Sequence, residues 1–524
     1  MADNFLTQSA VKPTRHTQED TGAPRSDPPA MNGVANPAQD CARIGPGIQD
    51  HNALLMRFVL ISSSSIVLFH SLGKQLLRTW DESIYAEVAK EMVTRHSWWT
   101  LSWNFQPWVD KPPLFMWLTA LLYRCLGVSE TTSRAVGALC GVATIWLTFE
   151  IGRRLMGDWG GLAAAVILFT NSYFIYASRF EAINGPLTFC FALAAYGYIR
   201  AHQGESRWWY AVGVATGMAV MFKSAAGLAV PTSVGLALVL DRRLREINTP
   251  EVRNSIFLAS ALAMPWHVLM VISHGRAFLD LYLASILARA KGLDAAPKPA
   301  YFYLLAYGHD FGPFALVALF GLLLHLKGQR KSSILVSIVL VVTTCFSLIG
   351  SKLVAYALPA FPFLSLLAAM ALTRLKTAKY AIACAVIIFP VYWLLQKDVV
   401  RLIYSDSYGY VGSINSRNEP LMRLLVQARP GDHDTSPAPL IICMDGFQFE
   451  KQQALFYGDR PVIEAFLVVP INDTDSPLDQ VVTSRPTPII IWKNLYPWLT
   501  NSAKYHFSVI AQDDQLMLGQ ISRL

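Results

Sequence analysis

Apolar residues fall along this chain in long runs separated by short polar stretches, a pattern too coarse for a soluble core and suited to repeated membrane crossing. Eleven runs read as spans, near residues 54–72, 135–152, 161–178, 186–201, 208–222, 225–240, 255–272, 312–326, 333–350, 354–372 and 380–396. The fifth and sixth flank Lys223 and read equally as one broken pair. A shorter apolar piece, Pro113–Leu126, ends beside Arg124 and predicts a helix lying flat at the interface. After residue 397 polarity becomes mixed, and runs such as Pro439–Ile442 and Pro488–Trp492 have strand character, so 397–524 read as a small α/β domain. Residues 1–52 cluster almost no apolar side chains and read as a disordered tail without a cleavage pattern.

Charge settles the expected orientation. The formal net charge is +8, yet the basic residues sit in short loops: Arg153–Arg154, Arg200 with Arg207, Arg242–Arg243–Arg245 with Arg253, Lys327 with Arg330–Lys331, and Arg374 with Lys376 and Lys379. Alternate loops being basic places the amino terminus and these loops in the cytoplasm, and argues against a nucleic-acid groove. The segment 74–134, the turn 179–185, the stretch 273–310 and everything after 397 then face the periplasm, across a bacterial inner membrane. Only 15% of residues are charged, against about 25% for soluble domains. Seven cysteines show no paired or metal-like spacing, which predicts no disulfide framework.

The outward-assigned segments hold the chemistry. Trp80-Asp81-Glu82-Ser83-Ile84-Tyr85 follows the first span, and Asp110-Lys111-Pro112-Pro113 precedes the interfacial helix. A carboxylate there can take a proton from an incoming hydroxyl, or it can simply stabilise the free amides of a helix start; the residues alone leave both readings open for Asp81 and Glu82. Asp110-Lys111 reads either as an interfacial ion pair or as an aimed pair held by the prolines. Arg179, Lys223, Arg276, Arg289, Lys291 and Lys352 lie on the same side, and cations around a membrane-surface cavity suit a phosphate or diphosphate. His267 lies in the outer half of a span, where a packing role competes with metal ligation.

Six stretches in order, WDESIYAE, VDKPPLFMW, SRFEAINGPLTF, MFKSAAGL, MPWH and GSKLVAYALPAFP, resemble the GT-C membrane glycosyltransferases of the protein-mannosyltransferase-like group, nearest to bacterial aminoarabinose-to-lipid A transferases. The likeness spans roughly residues 54–375. It implies an all-α polytopic membrane protein of GT-C type, with about eleven or more helices and a small α/β periplasmic C-terminal domain. It further implies a polyprenyl-phosphate sugar donor such as undecaprenyl phosphate, Asp81 as catalytic base with Glu82 beside it, and donor-phosphate contacts from Lys111, Arg289 and Lys352. A divalent metal ion held by Asp110 and His267 belongs to the same expectation, and Tyr85, Glu181, Asn184, Lys223 and Tyr356 are further candidates. The chain departs from the family at Asn184, where an Asp is usual and Glu181 is close enough to substitute. It departs also at Ile84, where the aminoarabinose branch has Arg, and at Lys223-Ser224-Ala225 in place of Lys-Gly-Pro.

The reaction so implied moves one sugar to a periplasmic acceptor, lipid A or another cell-envelope glycolipid, by inverting displacement. The competing class is a lipid-linked sugar flippase or transporter. Transporters carry repeats and broken helices near the midplane; this sequence shows no repeat, and its charged candidates gather at one face.

Overall fold

A computed structural model describes residues 46–78, 81–180, 182–293, 298–327, 333–375 and 377–395, then 421, 423–425, 427–428, 438–443, 450–459, 461–464, 478–513 and 516–524. The tail expected over residues 1–52 lies outside the described residues as far as position 45, as does the expected start of the C-terminal domain at 397. The chain divides into Met1–Asn52 and Ala53–Leu524, and the second unit carries the helix bundle and the sheet.

That unit begins with α1 (Ala53–Phe69), the short α2 (Asp81–Thr94), a hairpin of β1 (Ser102–Trp103) and β2 (Gln106–Pro107), and α3 (Leu114–Leu126). A bundle comes next: α4 (Glu130–Met156), α5 (Asp158–Phe169), α6 (Ser172–Phe180), α7 (Asn184–His202), α8 (Trp209–Lys223), α9 (Ala229–Leu240) and α10 (Pro250–Lys291). It continues through α11 (Phe302–Asp310), α12 (Phe314–Leu326), α13 (Ile334–Leu348), α14 (Phe361–Leu372) and α15 (Ala378–Leu395).

The expected count of eleven spans is not confirmed among the described residues. Among the described residues four helical stretches are long and apolar enough to cross: Glu130–Met156, Ser206–Leu240, Pro250–Lys291 and Val354–Leu372. Two bent pairs, α5–α6 at 67° and α11–α12 at 113°, raise the number to six if each is one span. Several of the other apolar runs form shorter helices. A helix like α13, 15 residues long, reaches about 22 Å at 1.5 Å per residue, short of the roughly 30 Å hydrocarbon core. The region around Lys223 lies within one helical stretch, Ser206–Leu240, that carries a 3-10 turn over Ser224–Leu228 between α8 and α9. The stretch 273–310 is largely helical rather than loop, because α10 bends at Gly275 (φ 58°, ψ −141°) and then continues to Lys291.

Packing separates lipid-facing from buried helices. Phe257, Ile272 and Leu281 on α10 are 74%, 76% and 61% exposed, whereas α14 is enclosed by its neighbours. Apolar surface exposed on that scale requires an apolar solvent. Inside the bundle, close approach relies on small residues: a Cβ on Gly321 of α12 would lie 1.8 Å from the Leu367 carbonyl of α14.

The two ends of the bundle differ chemically. At one end Arg57 of α1 pairs with Glu150 near the end of α4 at 2.6 Å, with Arg153 beside them, so α1 and α4 run antiparallel. At the other end, arginines satisfy carbonyls at the end of α1 and in the loop that follows it. Arg179 donates to Val67, Leu68 and His70 at 2.8–3.1 Å, and Arg134 donates to Leu72, Gln75 and Leu76 at 2.7–2.8 Å.

Beyond the bundle lies a five-stranded sheet of order β4-β3-β5-β7-β6, built from β3 (Leu440–Cys443), β4 (Val462–Glu464), β5 (Thr487–Trp492), β6 (Tyr505–Gln512) and β7 (Leu516–Arg523). The first three strands are parallel and the last two antiparallel. Helix α16 (Glu450–Gly458) joins β3 to β4 and packs on α2. The expected strand runs at Pro439–Ile442 and Pro488–Trp492 coincide with β3 and β5.

Candidate active site at the motif end of the bundle

The sequence of α2, DESIYAEVAKEMVT, supplies good helix formers and opens with two carboxylates at the positive end of the helix dipole. It is unusual in burying charge: Glu82, Glu87, Lys90 and Glu91 are all enclosed, and each has a partner. Asp81 differs. It is exposed, and among the described residues it makes no hydrogen bond to the amides of its own first turn. Its electrostatic neighbours are Tyr85 and Lys111.

Glu82 points elsewhere. Its carboxylate binds Arg134 (Nε to Oε1 2.5 Å, Nη2 to Oε2 3.3 Å) and accepts from the Arg78 amide at 2.7 Å. The expected pairing of Glu82 with Asp81 in catalysis is therefore corrected: successive helix positions diverge by about 100°, and the second carboxylate anchors α4.

Tyr85, one turn beyond Asp81, is buried with its ring edge-on to Trp108 and Phe115. Its hydroxyl faces Asp81 and the Asp110–Arg289 pair without closing a normal hydrogen bond among the described residues. Burial, then the charges of Asp81 and Asp110, push its pKa well above the ordinary tyrosine range, so the group stays a neutral donor.

Asp110 is the centre of a tight cationic cluster. Arg289 Nη2 donates to both its oxygens, at 2.8 and 2.7 Å, and Lys111 Nζ donates to Oδ2 at 2.7 Å. Burial pushes the Asp110 carboxyl up, but Lys111 and Arg289 together overcome it and hold it below the usual range. Burial also lowers Lys111, with Arg289 adding to it against Asp110. Asp81 lies within electrostatic reach of Lys111. One carboxylate between two cations leaves a net positive charge in a partly enclosed place, the setting that an anionic headgroup needs.

The Lys352 segment joins from the other side. Gly350 N donates to Ala290 O at 2.9 Å and Ser351 N to Arg289 O at 3.1 Å. A Cβ on Gly350 would lie 2.4 Å from the Gly292 nitrogen, so only glycine permits this approach. Lys352 is buried, and its ammonium donates to Ile349 O at 2.8 Å. Tyr356 sits within electrostatic reach of Arg289, with the Lys223 ammonium 4.2 Å from its ring centroid. Lys223 also donates to the side-chain oxygen of Asn184, the position where the resemblance led to the expectation of an Asp. Glu181 lies outside the described residues.

The metal expectation does not fit this arrangement. Both oxygens of Asp110 are held by cations, while His267 uses Nδ1 on Ala263 O at 2.8 Å and Nε2 on the Tyr282 hydroxyl at 3.0 Å. Among the described residues no group of three or more His, Cys, Asp or Glu is placed to hold an ion. His267 packs against Trp266 and Tyr282 as a hydrogen-bonded wall residue.

The structure adds residues that the motifs do not single out: Glu87, Lys90, Glu91, Asn104, Arg134 and Tyr282. The first three do leave a signal in the sequence. Three charges within five positions, flanked by the apolar Val88, Ala89 and Met92, mark a helix whose charges are enclosed.

Residues 110–272 match the family described as dolichyl-phosphate-mannose-protein mannosyltransferase. An uncharacterized protein of Aquifex aeolicus is 28% identical over 324 residues, covering 60% of this chain and 64% of that protein. An undecaprenyl phosphate-alpha-4-amino-4-deoxy-L-arabinose arabinosyl transferase of Pseudomonas fluorescens is 24% identical over 297 residues, 55% of this chain and 54% of that one. The chain thus matches between about half and two thirds of the length of these relatives. The crystal structure of ArnT from Cupriavidus metallidurans bound to undecaprenyl phosphate superposes with a TM-score of 0.68, covering 88% of this chain and 97% of ArnT at 17% identity. The chain shares the fold of ArnT and is similar in sequence to the aminoarabinose transferases. In this fold, the first loop after α1 supplies Asp81 and the Asp110-Lys111 pair, and α10 returns to meet them with Arg289.

Proposed function

We propose that this chain is an inverting membrane glycosyltransferase that moves a sugar from a polyprenyl-phosphate donor to a cell-envelope acceptor, lipid A or another glycolipid. The observation that carries this reading is the convergence of Arg289 and Lys111 on one partly enclosed carboxylate, close to the exposed Asp81. Arg289 lies near the end of α10, whose apolar flank bears Leu283 and Leu287, 50% and 53% exposed. A prenyl tail can lie along that flank in lipid while its phosphate reaches the cations.

The site then divides the work. Asp81 takes the proton of the acceptor hydroxyl or phosphate, and the acceptor oxygen attacks the anomeric carbon. The bond from that carbon to the donor phosphate breaks, and the polyprenyl phosphate leaves with its charge held by Lys111, Arg289 and Lys352. A phosphate leaving group needs cations rather than a general acid. One displacement without a covalent intermediate inverts the anomeric centre. Charge compensation sought from an ion at Asp110 is supplied here by Arg289 and Lys111.

The site faces the periplasm in this reading, with the basic loops inside. The test uses purified protein in detergent with a polyprenyl-phosphate sugar and lipid A, read by mass spectrometry. Product formed without sealed compartments is the expected result. Lipid translocation in vesicles with no transfer from a panel of donors would replace the enzyme by a flippase.

A further inference from the structure

The C-terminal sheet domain is fastened to the segments that carry the site. Lys90, nine residues and about two and a half turns along α2 from Asp81, is 6% exposed. Its ammonium donates to Leu455 O at 3.1 Å, Phe456 O at 2.6 Å and Asp459 Oδ1 at 2.9 Å, and pairs with Glu87 at 2.7 Å. Those two carbonyls belong to the last turn of α16, so the cation caps the negative end of a helix in the other domain.

A second fastening lies at the tip of the β1–β2 hairpin. Asn104, at φ 53°, donates from Nδ2 to Val462 O at 3.1 Å, and its Oδ1 accepts from Val462 N at 3.0 Å. The side-chain amide copies the pairing of a strand residue along β4, the edge of the five-stranded sheet. A third contact is Tyr457, whose hydroxyl accepts from Leu77 N and donates to Glu130, both at 2.9 Å.

The two fastened segments are also tied to each other. Glu91 of α2 accepts from Ser102 Oγ at 2.5 Å and from Phe105 N at 3.1 Å, and Trp108 N donates to Leu101 O at 2.8 Å. Asp81 heads the first segment, and the second runs directly into Asp110-Lys111. The sheet domain therefore touches both just outside the reacting groups.

We propose that Lys90 and Asn104 are positioning residues through which the C-terminal domain sets the Asp81 helix and the Asp110-Lys111 segment at their working separation. This rests on the reading of Asp81 and Lys111 given above. Neither positioning side chain is part of the Asp110–Lys111–Arg289 cluster. Their loss changes geometry rather than the groups that bind the donor phosphate.

The test uses the full-length protein in detergent, with Lys90→Met and Asn104→Ala. Each is expected to lower kcat by about tenfold or more, the scale set by sub-ångström to ångström misplacement, while KM for the donor changes less than kcat. Amide exchange, followed by mass spectrometry, is expected to accelerate in both variants across both 81–94 and 108–111. The decisive case is Asn104→Ala speeding exchange in α2, with which the Asn104 side chain makes no hydrogen bond among the described residues. Unchanged kcat, or exchange altered only beside the mutated residue, would overturn the proposal. If Lys90→Met fails to fold, Asn104→Ala, at a partly exposed position, decides alone. If the unmodified protein transfers no sugar, the reaction reading fails, and the exchange measurement still decides this one.

Discussion

Arg289 holds both oxygens of Asp110 from one guanidinium nitrogen, at 2.7 and 2.8 Å, across 179 positions of sequence. The contact closes the first loop onto the end of α10 and leaves the guanidinium beside Lys111. Lysine cannot reproduce a planar fork that also donates to Ser285 O. Arg289→Lys is expected to raise KM for the polyprenyl-phosphate donor by about tenfold or more, one charge-assisted contact being worth about 1.5–3 kcal/mol. Donor titration of initial rates checks this, and an unchanged KM would remove Arg289 from the phosphate site.

Asp81 and Glu82 are adjacent in sequence and opposite in consequence. Asp81→Asn is expected to leave thermal stability near that of the unmodified protein, because the side chain is exposed. Transfer should fall by about 10²–10⁴, the usual weight of a lost general base. Glu82→Gln leaves the enclosed Arg134 without its counter-charge and is expected to destabilise by about 3–5 kcal/mol. Thermal unfolding and rate measurements on the two variants separate these effects. A stable but inactive Glu82→Gln would mean the base is the second carboxylate.

The Gly350–Gly292 contact makes a steric prediction. Gly350→Ala places a methyl carbon 2.4 Å from the Gly292 nitrogen, against backbone that cannot yield by rotating a side chain. The Lys352 segment must then move off Arg289. Donor binding is expected to weaken more than thermal stability, and a variant binding the donor normally would show that the two segments need not touch.

Glu87 gives the pH dependence. Burial raises its carboxyl to about 7 against the pull of Lys90, whose charge is shared with Asp459 and two carbonyls. A raised acid stabilises the fold fully below its unfolded value near 4.5 and loses that contribution as pH climbs through 7. The displacement corresponds to a loss on the order of 3 kcal/mol at full ionisation. Glu87→Gln is expected to flatten the stability profile between pH 5 and 7, measured by thermal unfolding at several pH values; a profile as steep as that of the unmodified protein would refute the assignment.

Orientation is testable by itself. A reporter active only in the periplasm, fused after Leu524, is expected to be active. A silent reporter on well-expressed protein would turn the site to the cytoplasm.

The legible parts of this chain are those set by local pattern. The β-branched runs that form β3 and β5 stand between turn residues, and the apolar piece Pro113–Leu126 forms the helix α3. The span count is not legible, because hydropathy does not say where a helix bends: Gly275 interrupts α10, and α5–α6 turn by 67°. Pairings across distance are invisible for the same reason. Glu82 looks like a neighbour of Asp81 until Arg134, 52 residues on, claims it, and His267 looks like a ligand until Ala263 and Tyr282 take its two nitrogens. Asn184 accepts from Lys223, 39 positions on, a pairing that no local pattern shows.

The arginines that finish α1 bear on how the protein is made. Carbonyls between Val67 and Leu76 emerge from the ribosome well before Arg134 and Arg179, the side chains that satisfy them. Until α4 and α6 arrive, the end of the first helix and the loop after it hold open acceptors at the edge of an apolar phase, each costing several kcal/mol if lipid alone surrounds it. The first helix is therefore expected to wait at the exit of the insertion machinery until its later partners are synthesised, which ties biogenesis of the first loop to the order of translation.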